Sequence, residues 1–139
     1  MKFKNEELKE HLEWLDWRLR EILIPEIERM ADVHGYDCWF TSAVRDDGIH
    51  AAKSASGYRA ADLDFTDDVA TEDEVDAFGR FVANWITARY IYGRGWDGRL
   101  RPSAYWHENR GSPGFHLHLQ VPGGDLKIPA LNPDEEIRV

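Results

Sequence analysis

The chain has one cysteine, Cys38. That scarcity excludes an intramolecular disulfide and a cysteine-rich structural zinc site, both of which need several sulfurs. Flanked by Trp39 and Phe40, the thiol is expected to be buried and inert. Positive charge is also scarce: 17 Lys and Arg stand against 26 Asp and Glu, a formal net charge of −9. No basic cluster of the kind that releases counterions from a phosphate backbone is present, so no nucleic acid partner is expected. No apolar run is long enough to span a bilayer, and Met1-Lys2-Phe3-Lys4-Asn5-Glu6-Glu7 is charged where a signal peptide carries a continuous apolar region. These absences predict a soluble chain with no transmembrane segment and no signal peptide, cytoplasmic as synthesised. Repeats and low-complexity linkers are missing as well. What remains is 139 residues that are 42% hydrophobic, enough for one globular domain with one core. The expected organisation is a single unit over 1–139, with a helical amino-terminal part at 5–35, a site-bearing part at 36–128 and a surface tail at 129–139.

Hydrophobic periodicity supplies the coarse elements. Asn5 can cap a helix with Glu6 and Glu7 in its first turn, and Leu8, Leu12, Leu15, Leu19 and Ile22 form one apolar stripe. Pro25 is expected to kink or divide this helix, with Ile27, Met30 and Val33 continuing an apolar face until Gly35 stops it. A β-type run follows from Asp37 to Arg45 and a second from Tyr58 to Phe65. Thr71 with Glu74 has the spacing of a capping box, followed by Val75, Phe78, Val82 and Trp85 on one helical face. Gly93, Gly95, Gly98 and Pro102 predict a mobile loop, and Phe115 to Val121 a strand closed by Pro122-Gly123-Gly124. The fold class that emerges is α+β: a small, mostly antiparallel sheet with flanking helices and a metal site on the sheet.

The chemistry depends on which side chains share a face. Residues two apart on a strand project the same way, so His116 pairs with His118 and Asp62 with Asp64. His50, after Gly48, sits in a turn-like segment able to bring its imidazole to the same point. Two histidines and a carboxylate form a ligand set for a catalytic zinc ion with an open position. Three of these groups would bind the ion, and the others would act on its water or orient the ligands. The set also suits a non-haem iron oxygenase, which normally wants His-x-Asp together on one strand. His11, His34 and His107 have no matching partner in sequence. Tyr90, Tyr92, Trp96, Tyr105 and Trp106 suit either packing or the wall of a groove.

The ordered motifs Thr41-Ser42-Ala43-Val44-Arg45, Gly48-Ile49-His50, Arg59-Ala60-Ala61-Asp62-Leu63 and His116-Leu117-His118 resemble the zinc D-alanyl-D-alanine carboxypeptidase and Hedgehog-like peptidases, including small phage endolysins. The resemblance spans roughly residues 38 to 121. It implies cleavage of a peptide bond in the stem peptides of bacterial peptidoglycan, with His50, Asp62 and His118 as zinc ligands. It makes Arg45 the group that neutralises substrate charge and steadies the oxyanion, and His116 the group that assists the metal-bound water. The link from His50 to Asp62 is longer than in many members, which leaves Asp64 as the alternative ligand. Many members also place a glutamate a few residues before the last histidine as general base, whereas the nearest preceding acid here is Glu108. The expected protein is a monomeric phage or prophage lysin that reaches the wall after release. The alternative from another class is a non-catalytic wall-binding or phage structural module with a degenerate metal site.

Overall fold

A computed structural model describes residues 1–46, 48–90, 93–94, 100–109 and 113–123. Its main sheet has five strands in the order β1 (Lys2–Phe3), β2 (Asp37–Ser42), β3 (Ala60–Thr66), β7 (Phe115–Gln120) and β6 (Ala104–Glu108). β1 runs parallel to β2, and the other three pairs are antiparallel. Three α-helices, α1 (Glu7–Glu13), α2 (Ile24–His34) and α3 (Glu72–Arg89), complete the α+β architecture among the described residues. None of these is long and apolar enough to cross a membrane. β4 (Gly93–Arg94) pairs with β5 (Leu100–Arg101), so the described part of the predicted mobile loop is an antiparallel ribbon. The tail at 129–139, Tyr92 and Trp96 lie outside the described residues.

Strand alternation divides the sheet into two faces. Cys38 and Phe40 of β2, Leu63 and Phe65 of β3, and Leu117 and Leu119 of β7 are buried in one apolar cluster with Ile27 and Met30 of α2 and Phe78, Val82 and Ile86 of α3. α3 begins at a complete capping box, in which the Thr71 hydroxyl accepts from Glu74 N and the Glu74 side chain accepts from Thr71 N. It crosses β6 at Gly79, where a Cβ would overlap the Trp106 indole. α2 ends at Gly35 with φ of 81°, a left-handed conformation that favours glycine. The apolar face of α2 does not extend to Val33, which is 71% exposed.

The first helix is not continuous through the leucine stripe. It stops at Glu13 without a side-chain cap from Asn5, and helical structure resumes as a π-helical turn at Leu19–Leu23 that runs into α2, with Pro25 in the first turn. Between them the backbone pairs with a remote segment: Tyr58 N donates to Trp14 O at 2.9 Å and Asp16 N to Tyr58 O at 2.8 Å. This close approach requires Gly57, since a Cβ there would collide with Trp14 O. A buried ion pair fixes the break. Asp16 accepts from Arg18 Nε at 2.9 Å, from Arg18 Nη2 at 2.8 Å and from Ser54 Oγ. Arg18 Nη2 also donates to Pro122 O at 2.7 Å, just beyond β7. The leucines keep their apolar environment, with Leu15 and Leu19 fully buried, but two separate turns deliver them.

Candidate metal centre

The face of the sheet opposite the apolar cluster carries a polar groove of about 810 Å³. Trp39 and Thr41 of β2, Asp62 and Asp64 of β3, His116 and His118 of β7, and Tyr105 and His107 of β6 all face it, as two-residue alternation dictates. The β3–β7 register sets Asp62 directly opposite His118. A 3-10 turn at Gly48–Ala51 brings in His50. One donor atom from each of His50, Asp62 and His118 lies within 4.8 Å of the others, and all three residues are buried.

Hydrogen bonds on the outer side of each ring decide which nitrogen is turned inward. His50 Nδ1 is 2.6 Å from Ala43 O. A carbonyl only accepts, so Nδ1 carries the proton and Nε2 presents a lone pair, 3.4 Å from Asp62 Oδ2. For His118 the arrangement is reversed. Gln120 Nε2 donates to Pro102 O at 2.9 Å, which directs Gln120 Oε1 to His118 Nε2 at 3.2 Å. His118 therefore holds its proton on Nε2 and turns Nδ1 toward Asp62 Oδ1 at 3.0 Å. Two imidazole lone pairs facing one buried carboxylate repel unless a cation lies among them, either an added proton or a metal ion. The inward Nε2 of His50 is buried with no hydrogen-bond partner among the described residues. Such an orphaned donor atom fits a metal ligand held by a partner behind it. The buried cluster can hold a metal ion through two nitrogens and one carboxylate. Burial pushes the Asp62 carboxyl up, but His118 and His50, which donate to it once a ring carries the added proton, outweigh this and hold it well below the usual carboxylate range.

The remaining predicted residues are distributed unevenly around this cluster. Arg45 reaches it, with Nη2 3.3 Å from Asp62 Oδ2 and its side chain 50% exposed at the groove. His116 turns Nε2 to within 3.6 Å of Asp62 Oδ1, outside the group of three mutually close donors. Burial lowers its imidazole pKa, outweighing the Asp62 charge that raises it. Asp64 lines the groove and accepts from Phe65 N at 2.8 Å. Burial raises its carboxyl and outweighs the lowering effect of that N–H, with Asp76 adding to the rise. The close group contains Asp62 rather than Asp64. Glu108 is not brought in: it is exposed, and alternation along β6 places it on the side of Trp106, opposite His107.

Three residues of the site, His107, Asn109 and Gln120, escape a reading of the sequence, while Tyr105, which suits either packing or the wall of a groove, lines the groove. His107 pairs with His116 across β6 and β7, with ring centroids 4.1 Å apart, while the Tyr105 ring lies 4.7 Å from that of His118. Asn109 meets His116 Nδ1 at 2.5 Å, and Gln120 orients His118. The alternation Tyr105, Trp106, His107 is the signal that could have revealed β6. His11 and His34, by contrast, are in ring contacts away from the groove, with Trp14 and with Phe78 and Phe81 respectively. No family model matches the chain, and neither does any curated protein or solved structure.

Proposed function

We propose that this chain is a zinc-dependent peptidase that hydrolyses a peptide bond in peptidoglycan stem peptides, a phage or prophage lysin of the D-alanyl-D-alanine carboxypeptidase type. The observation that carries this reading is the convergence of His50, Asp62 and His118 from three distant chain segments, with both rings tied from behind and turned inward. His50, Asp62 and His118 would hold a divalent ion, which would supply an acidified water and polarisation of a substrate carbonyl. His116, with Nε2 facing the same carboxylate, takes a proton from the attacking water and returns it to the departing amine. Arg45, half exposed beside Asp62, binds a substrate carboxylate or the carbonyl oxygen as it gains charge. Asp64 is a second carboxyl in the groove, raised by burial. The groove beside Trp39 and Tyr105, with Lys4 and Arg45 as well as Asp62 and Asp64 in its lining, suits a polar peptide.

Metal analysis and clearing of purified cell walls test this reading together. The expected outcome is stoichiometric zinc and clearing by the wild type, with both lost in His118→Ala at retained far-UV circular dichroism. Iron with a cosubstrate requirement would establish an oxygenase instead. A second reading, a non-catalytic wall-binding module, draws on the orientation of Glu108, which leaves the groove, among the described residues, without the glutamate that many peptidases of this kind use. Tight binding to walls without release of peptide fragments would favour it.

A further inference from the structure

Two hydrogen bonds at the end of β6 fix the Asn109 amide, and we infer that Asn109 is a positioning residue that holds His116 as its Nδ1–H tautomer. Asn109 Nδ2 donates to Pro113 O at 3.1 Å. Because a carbonyl cannot donate, the amide oxygen must be the atom on the other side, and Oδ1 lies 2.5 Å from His116 Nδ1. An amide oxygen only accepts, so the proton of the neutral ring is on Nδ1. The backbone reinforces the arrangement, with Asn109 N donating to Gly114 O at 2.9 Å. The His107 ring, 4.1 Å away, packs against the same imidazole.

The consequence is directional. Nε2 of His116 is left with its lone pair facing Asp62 Oδ1 at 3.6 Å. The other tautomer would point an N–H at the carboxylate and could not receive a proton on the side where the metal cluster lies. Asn109 reaches the reaction only through His116. It sets the tautomer before any substrate arrives, as a carboxylate or carbonyl behind a histidine does elsewhere. This role rests on the peptidase reading for its catalytic purpose, but the tautomer is a property of the protein by itself.

The two parts are tested separately on the full-length, zinc-supplemented protein. Histidine labelled with nitrogen-15 and observed by long-range proton–nitrogen correlation at mildly alkaline pH should show His116 as Nδ1–H. Asn109→Ala should move it toward a mixture or toward Nε2–H, and Asn109→Asp, which keeps an acceptor, should preserve Nδ1–H. A wild-type Nε2–H tautomer, or a signal unchanged in Asn109→Ala, overturns the assignment. If Asn109→Ala does not fold, the wild-type spectrum decides. In wall hydrolysis Asn109→Ala should lower kcat roughly ten- to a hundredfold at similar KM, and Asn109→Asp should recover much of it. A change confined to KM would refute the positioning role. Absence of any wall cleavage by the wild type would sink the peptidase reading while leaving the spectroscopic result to decide the tautomer.

Discussion

Arg18→Met removes a guanidinium that makes three side-chain hydrogen bonds inside the protein while preserving most of the volume of the stem. Arg18 and Asp16 are each 1% exposed, so neither charge has water to fall back on. The substitution deletes the Nε and Nη2 bonds to Asp16 and the Nη2 bond to Pro122 O. It leaves Asp16 with the Arg18 backbone N–H and the Ser54 hydroxyl. Stranding one member of a buried ion pair costs about 3–5 kcal/mol. At a urea m-value of about 2 kcal/mol per molar, this lowers the unfolding midpoint by roughly 1.5–2.5 M. Replacing both partners, as Asp16→Asn with Arg18→Met, should recover much of the loss because no uncompensated charge remains. The pH dependence has a definite sign. Burial raises the Asp16 carboxyl, but hydrogen bonds from Arg18 and Ser54 outweigh this and hold it below its ordinary value. The pair's stabilisation is therefore full above the unfolded carboxylate pKa of about 3.9 and is lost as pH falls through the lower folded value. In Arg18→Met the carboxylate is no longer supported, so the gap from wild type should narrow as the medium is acidified. A neutral-pH cost below about 1 kcal/mol, or a gap that does not change with pH, would refute the reasoning.

Gln120→Leu should weaken the affinity for a divalent metal ion by roughly ten- to a hundredfold by releasing His118 Nε2, as measured by competition with a chromogenic chelator. Cys38 is buried and burial pushes its thiol up to about 12. It should therefore resist an aromatic disulfide reagent in the native protein and react at the rate of unfolding in urea. Gly79→Ala forces a methyl into the Trp106 ring and should cost about 1–3 kcal/mol, read as a lower thermal midpoint with a disturbed near-ultraviolet tryptophan signal.

Local chemistry made much of the architecture legible. The Thr71 and Glu74 spacing marks the start of α3, Gly35 marks the end of α2, and the apolar alternation around Asp62 and His118 locates β3 and β7. The same alternation is enough to place His116 with His118, and Asp62 with Asp64, on common sides of their strands. The helix break was hidden because the leucine stripe continues through it, while its causes are remote: Tyr58 takes the backbone of Trp14 and Asp16, and Ser54 and Pro122 bind the ion pair. β6 was hidden for a related reason. Tyr105 and His107 acquire a common face only through pairing with His118 and His116. The orientations of the His50 and His118 rings depend on Ala43 and Gln120, whose identities carry no signal of that role until the chain is folded.

The central strand also predicts how this protein can change over generations. Along β3, Ala61, Leu63 and Phe65 belong to the apolar cluster, while the intervening Asp62 and Asp64 face the groove. Tolerance to substitution should therefore switch at every step along this strand: one set of positions is screened by thermal endurance, the other by the chemistry of the groove. Drift on the outward set can reshape what the groove accepts without loosening the interior. The lining of the groove and the robustness of the fold, carried by adjacent codons, can then be tuned almost independently.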